Sequence, residues 1–282
     1  MAETSRDFSD GSAPLNRSFG VYILLPVLNE IQNIGPLLDQ IEAALTGSAF
    51  TIGIIDDGST DGTVEYLEKR VRVSEGRLHL IRRKKTTRGS QRGGALLVLL
   101  EWGLQNTVHG IFVEMDGDLS HRPEELWEGI RLVASGACDL AIASKYVEGS
   151  LVVNRPMGRL LVSRVCSMAV GILISRRIRD YSNGYRFYTR RAAKVVAERK
   201  IRYGSPIYLS EVLAMWLREG MRVREFPSTY IGRNEGLSKL RISDLVKAAI
   251  AAFEIAVRFR ITGFPARSAE PIVEKAALER HS

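Results

Sequence analysis

The chain has 282 residues, 45% hydrophobic and 26% charged, with a net charge of +8: a soluble globular composition with one good core and room for an appended subdomain. Two cysteines without CxxC spacing and four scattered histidines exclude a Cys/His metal centre and read as reduced core cysteines of a cytosolic protein. Charge is uneven: residues 1–150 hold 15 Lys+Arg and 21 Asp+Glu, net −6, whereas residues 151–282 hold 25 and 11, net +14. The second half therefore either faces something anionic (membrane, phosphate or nucleic acid) or carries a solvated basic surface.

Residues 1–19 are polar and read as a disordered tail, neither signal peptide nor anchor. Residues 20–239 read as one catalytic domain and 240–282 as a C-terminal helix and tail. Strands are expected over 21–25, 50–55, 78–81, 110–115 and 139–144, and helices over 33–45, from Asp61 as N-cap, over 95–104 and from Pro123. Repeated βα units predict a mostly parallel sheet flanked by helices. The second half predicts one long helix over 155–179, a strand at 185–188, helices at 191–198 and 207–218, a strand at 222–226, a polar loop at 233–239 and a helix at 242–259. No uncharged apolar stretch approaches the ~20 residues of a spanning helix, so no transmembrane helix is predicted.

In such sheets ligands bind beyond the carboxyl ends of the strands. The polar motifs fall there: Asn29-Glu30, Asp56-Asp57, Asp116-Gly117-Asp118 and Lys145. Asp116 and Asp118, one residue apart after the apolar run Ile111-Phe112-Val113, suit a hard divalent cation that bridges carboxylate to phosphate; the plain alternative is an Asp/Gly turn. Three acidic strand ends and one basic end on a single rim favour a site for a nucleotide, a sugar and a metal.

Leu25-Pro26-Val27-Leu28-Asn29-Glu30, then Ile55 to Thr63, then Met115 to Pro123 resemble the inverting family 2 glycosyltransferases. The Asp118-Leu119-Ser120-His121 continuation and the 233–239 loop look most like the dolichyl-phosphate (polyprenyl-phosphate) mannosyltransferases within that family. The resemblance covers roughly residues 20–255. It implies a GT-A-type, Rossmann-like fold, a GDP-mannose donor, Mg2+ or Mn2+, and a polyprenyl phosphate acceptor. It also implies that Pro26, Leu28 and Glu30 border the guanine and ribose, that Ile55 and Asp57 sit by the base, and that Asp116, Gly117 and Asp118 hold diphosphate and metal. Lys145, Arg233 and Lys239 are then expected on the phosphates. Three positions depart from the family pattern: Leu28 stands where Tyr is frequent, Lys145 where Arg is common, and the loop at 87–94 is more basic than usual.

A phosphate monoester is already anionic at neutral pH, so its attack on an anomeric carbon needs no general base. The catalytic set expected is Asp118, Lys145 and Arg186, with Arg186 aimed at the acceptor phosphate or, alternatively, engaged in a structural salt bridge. Direct attack inverts configuration and gives a β-linked lipid-phosphate sugar. His121 is either a helix-start or core histidine or lies with Ser120 near the metal, and Asp56 is a candidate for bonding its own turn. The 155–179 helix suits an interfacial role, its apolar face in the headgroup region and its arginines on anionic lipid, against a core or dimer helix. The expected location is peripheral, on the cytoplasmic side of a membrane, with a small membrane subunit or a second copy as further partners. The rivals are a UDP-sugar donor in the same superfamily and a nucleic-acid-binding module. The latter is disfavoured because the basic residues are not interleaved with stacking aromatics.

Overall fold

The computed structural model describes residues 19–83, 92–154, 157–232 and 242–266. In chain order the strands are β1 (Val21–Val27), β2 (Phe50–Asp56), β3 (Leu78–Arg82), β4 (Ile111–Glu114), β5 (Leu140–Ser144), β6 (Leu151–Val153), β7 (Arg186–Thr189), β8 (Val223–Pro227) and β9 (Thr229–Ile231). The helices are α1 (Ile31–Ala44), α2 (Thr63–Arg72), α3 (Arg92–Asn106), α4 (Leu126–Ala134), α5 (Met157–Leu173), α6 (Arg190–Glu198), α7 (Tyr208–Arg218) and α8 (Ile242–Val257).

Seven strands form one sheet in the order β3-β2-β1-β4-β7-β5-β8, parallel throughout except for β7, which pairs antiparallel with both β4 and β5. Alternation along β1 shows why helices cover both faces. Val21, Ile23 and Leu25 pack with Leu37, Leu38 and Ile41 of α1 and Ile130 of α4, while Tyr22 and Leu24 pack with Leu99 of α3 and Val212 and Trp216 of α7. Burying each such aliphatic side chain is worth roughly 1.5–3 kcal/mol, so a near-continuous apolar strand has one stable place, the centre of a doubly covered sheet.

Several expectations change. The single helix over 155–179 ends at Leu173. The chain then turns so that Ile174, Ile178 and Tyr181 are buried and Asp180 enters the interior, where the Tyr181 hydroxyl donates to Ser175 O at 2.8 Å. Its first two residues, 155 and 156, lie outside the described residues, as does the expected tail over 1–18. Asp61 does not occupy the α2 cap position; Gly62 does, at φ 96°. Asp61 instead accepts the N–H of Thr63 at 3.0 Å and of Ile31 at 3.1 Å, tying the starts of α2 and α1 together. The small parallel sheet of β6 and β9 was not expected, because three-residue strands carry no readable alternation. Of the two cysteines, Cys138 is buried but Cys166, on α5, is only half-buried; both are free thiols.

α5 packs against α8 and leaves an apolar stripe facing outward: Leu161, Val165, Met168 and Ile172 are all more than half exposed. No helix among the described residues is long and apolar enough to cross a membrane.

Candidate active site

The sheet order reverses at β1. The chain adds β2 and β3 on one side, then returns to place β4 on the other. A crevice at the carboxyl ends of β1 and β4 follows from that topology, and the turns after these two strands meet there. A Cβ on Gly117 would lie 2.9 Å from Val27 Cγ1 and 3.3 Å from Pro26 O, so only glycine lets the acidic turn close onto the Pro26–Glu30 segment.

The turn after β4 is held by side chains from other elements. The Asp116 N–H donates to His121 Nδ1 at 3.0 Å, and His121 Nε2 lies 3.1 Å from Asn183 Oδ1. With Nδ1 accepting, the proton belongs on Nε2, and the imidazole is neutral. Burial, then the charges of Arg92 and Lys145, push its pKa down to about 3. Its ring stacks on Tyr185 with centroids 4.9 Å apart, and Asn183 is fixed in turn by donating to Ala143 O. Both ring nitrogens are thus committed, and His121 acts as a buried strut beneath the turn. Leu119 adopts a left-handed backbone (φ 60°), and the Ser120 N–H returns to Asp118 Oδ1 at 3.1 Å.

Arg92, the first residue of α3, reaches across and forms an ion pair with Asp116. Its Nε lies 3.4 Å from the Tyr208 hydroxyl, and a Cβ on Gly184 would fall 2.5 Å from its Nη2, so the absence of a side chain at 184 makes its slot. Sequence reasoning missed Arg92 as a site residue. The signal was present in the unusually basic glycine-rich loop that precedes α3, whose residues 84–91 lie outside the described structure.

At the end of β2 the two aspartates divide their roles. Asp56 is buried and accepts the N–H groups of Gly58 and Ser59 at 2.9 Å each, which makes it the turn's own anchor. Asp57 takes a two-pronged contact from Arg83, at 2.7 and 2.8 Å. Glu30 is buried and accepts from Asn33 Nδ2 at 2.7 Å, while Leu28 is exposed at the mouth and Pro26 is half-buried. Ile55 corrects the expectation for its side chain, which is wholly inside the core and not exposed at the rim.

On the far side of the crevice, Lys145 is buried with Nζ 3.6 Å from Asp180 Oδ2 and 5.2 Å from the centre of the Tyr230 ring. Burial alone would raise the Asp180 carboxyl. The Lys145 charge and the N–H groups of Lys145 and Ser182 outweigh it and hold the pKa below the usual carboxylate range. Arg186 is the second correction. It is fully buried and donates to the carbonyls of Asn183 at 3.0 Å and Leu209 at 2.8 Å, opposite the buried Glu114 on β4. Glu114 in turn accepts from the Tyr188 and Tyr208 hydroxyls at 3.0 and 3.1 Å. Arg186 therefore braces the floor, and its guanidinium is not exposed to the crevice. Arg233 and Lys239 lie outside the described residues.

Among the described residues no group of three or more His, Cys, Asp or Glu side chains converges on one point. The fit for a hard cation is of another kind. Asp116 and Asp118 offer carboxylate oxygens, and the buried Ser120 Oγ has no hydrogen-bond partner. An oxygen-only, incomplete donor set suits Mg2+ or Mn2+, hard cations that would leave positions for substrate phosphates and water.

The model of glycosyl transferase family 2 matches residues 22–196, the span from β1 into α6. The chain belongs to glycosyl transferase family 2. It is a glycosyltransferase, and the matched span contains the strands that form the crevice, β1 and β4. Among its relatives, the polyprenol monophosphomannose synthase of Mycolicibacterium smegmatis is 32% identical over 241 residues, covering 85% of this chain and 88% of the relative. The undecaprenyl-phosphate mannosyltransferase of Micrococcus luteus is 30% identical, covering 88% and 98%. The dolichol-phosphate mannosyltransferase of Pyrococcus furiosus is 31% identical, covering 78% and 59%. Among solved structures, the glucosyl-3-phosphoglycerate synthase of Mycobacterium tuberculosis, in complex with Mn2+, UDP and glucosyl-3-phosphoglycerate, matches with a TM-score of 0.59 at 18% identity, covering 87% of this chain and 81% of that one. That likeness establishes the GT-A-like fold.

Proposed function

We propose that this family 2 enzyme transfers mannose from GDP-mannose to a polyprenyl phosphate, with inversion, giving a polyprenyl-phosphate β-mannose. The observation that carries the reading is the agreement of three relatives, each named for transfer to, or synthesis on, a polyprenyl phosphate and matched over most of this chain. The site's chemistry supports it. The acceptor is its own nucleophile, so no general base is needed, and the rim's histidine, locked neutral with both nitrogens engaged, does not offer one.

Pro26, Leu28, Glu30 and Asp57 line the nucleotide side, with Asp57 oriented by Arg83. Asp116, Gly117 and Asp118 receive the diphosphate. Asp116 and Asp118 would hold a divalent ion, which would supply Lewis-acid stabilisation to the departing nucleoside diphosphate. Lys145 adds a fixed positive charge on the acceptor side, its position set by Asp180 and Tyr230. Arg233 and Lys239, which lie outside the described residues, are assigned to the phosphates by the family resemblance. The exposed apolar stripe of α5 meets the membrane in which the acceptor resides, so the protein associates peripherally.

The test presents GDP-mannose, UDP-glucose and UDP-glucuronate to purified protein with a short-chain polyprenyl phosphate and Mg2+. Lipid-linked mannose from the GDP donor is the expected product. Lipid-linked sugar from a UDP donor alone would replace the mannose assignment by the UDP-sugar reading.

A further inference from the structure

A cavity of about 350 Å³ lies between α5 and the turn leading toward β7, lined by Tyr146, Arg164, Met168, Ile172, Arg176 and Arg179 among others. None of Asp116, Asp118, His121 and Lys145 lines it, and the Tyr146 ring stands between it and Lys145, whose Nζ lies 5.9 Å from the ring centre. The charge on its wall is unbalanced. Among the described residues, Arg164, Arg176 and Arg179 make no ion pair with a carboxylate; Arg164 lies over the Tyr146 ring at 6.0 Å, and Glu225 is committed to the N–H groups of Arg179 and Asp180 at 2.8 Å each. Three guanidinium groups around one concavity make a site for an anion, and the guanidinium fork matches phosphate oxygens.

The other half of the wall is apolar, and this decides the kind of anion. Met168 and Ile172, exposed by 59% and 54%, belong both to the cavity and to the outward stripe of α5. Ile250 and Phe253 of α8, the helix packed against α5, are also more than half exposed. A soluble phosphate would satisfy the arginines and leave that apolar surface in water. A lipid with a phosphate headgroup satisfies both. The acceptor lipid is a poor occupant, because its phosphate must reach a sugar held at Asp116 and Asp118, and none of those groups borders the cavity.

We propose that this cavity is a headgroup site for an anionic membrane phospholipid, separate from the acceptor's own phosphate. The proposal rests on the reading of α5 as a membrane-facing helix. A lipid bound there would fix the rotation of α5 at the surface, holding the crevice at one height above the bilayer.

The full chain is sedimented with vesicles of phosphatidylcholine alone and of phosphatidylcholine mixed with phosphatidylglycerol. Three proteins are compared: the wild type, the triple variant R164Q/R176Q/R179Q, and the charge-matched control R131Q/R191Q/R224Q, which changes exposed arginines elsewhere. The wild type is expected to bind the mixed vesicles more tightly. The triple variant should lose on the order of tenfold of that gain, the control much less, and both should bind phosphatidylcholine as the wild type does. Equal losses in triple variant and control would reduce the effect to bulk charge and overturn the site. Wild-type binding that is the same with and without phosphatidylglycerol would also overturn it, while leaving the membrane reading standing. Binding to neither vesicle would overturn the membrane reading itself. Two further arms separate the ligand sources. The KM for short-chain polyprenyl phosphate in detergent should be unchanged in the triple variant; a several-fold rise would give the arginines to the acceptor instead. Glycerol 3-phosphate should not compete with vesicle binding; effective competition would make the occupant a soluble anion. The single variant R176Q, on an exposed turn, should show the same loss in smaller measure and guards against a folding artefact in the triple variant.

Discussion

The crevice at β1 and β4 and the outer face of α5 and α8 use polar and apolar groups in opposite ways. In the crevice nearly every polar group is bound by another: His121 between Asp116 and Asn183, Asp57 by Arg83, Lys145 by Asp180, and Asp56 by its own turn. On the outer face, Leu161, Val165, Met168 and Ile172 remain in solvent and Arg164, Arg176 and Arg179 remain without carboxylates among the described residues. A reaction centre must hold charges within a fraction of an ångström, so its groups are fixed before substrate arrives. A surface that meets a fluid partner gains from groups left unspent until contact.

The largest effect should follow from breaking the crevice at its centre. Asp118→Asn keeps the turn's shape and removes the negative charge proposed to receive a divalent ion. Turnover should fall at least about a hundredfold, with an unchanged thermal midpoint and circular dichroism spectrum. Retained turnover would remove Asp118 from the metal role.

The outer face is tested by inverting its character. Val165→Glu with Met168→Glu places two charges on an exposed apolar stripe, where neither side chain is needed for the core. Vesicle binding should drop by about tenfold or more, while activity on a short-chain acceptor in detergent stays close to wild type. Loss of both together would show the two regions to be one unit.

His121→Ala sharpens the comparison from inside. It leaves the Asp116 N–H without its acceptor and removes the stack on Tyr185, so unfolding free energy should fall by about 2–4 kcal/mol in urea titrations and turnover by roughly tenfold. The pH dependence carries a sign. The folded-state pKa of His121 is about 3 against an ordinary 6.5, so between those values the unfolded chain binds a proton that the folded chain refuses. Stability therefore declines as pH falls through that window. Asp180, held below its ordinary pKa, adds a further loss at more acidic pH. The His121→Ala variant should show a flatter stability curve between pH 6.5 and about 3, measured as thermal midpoint against pH.

The smallest effect expected is at Arg92. Its guanidinium neutralises Asp116, so Arg92→Gln should free that carboxylate and strengthen Mn2+ binding a few-fold, read by Mn2+ electron paramagnetic resonance without donor. An unchanged affinity would mean that Asp116 does not share the metal.

Much of the crevice was legible because its signals are local. Apolar runs ending in Asn29-Glu30, Asp56-Asp57 and Asp116-Gly117-Asp118 can be read within a few residues, and the sheet places strand ends on one rim by rule. Asp56 as a turn anchor was legible for the same reason, since its partners lie two and three residues away. Sequence leaves Arg186 open between the acceptor phosphate and a structural ion pair, because an arginine in a short strand has no local mark of burial. Its inward direction depends on β7 inserting between β4 and β5, opposite Glu114. Ile55 was misread because the resemblance places a position and not the side of the strand on which its side chain falls.

Sequence alone determined the alternation of strand and helix, the acidic strand ends, the asymmetric charge and the apolar stripe of α5, since each is written in spacings of two to four residues. Tertiary structure alone decided that β7 runs against its neighbours, that Asn183 and Tyr185 lock His121, that Arg92 crosses to Asp116 through the gap at Gly184, and that three arginines gather around a cavity beside Tyr146. These depend on which distant segments share a wall, and that is settled by burial of the whole core rather than by any short stretch of chain.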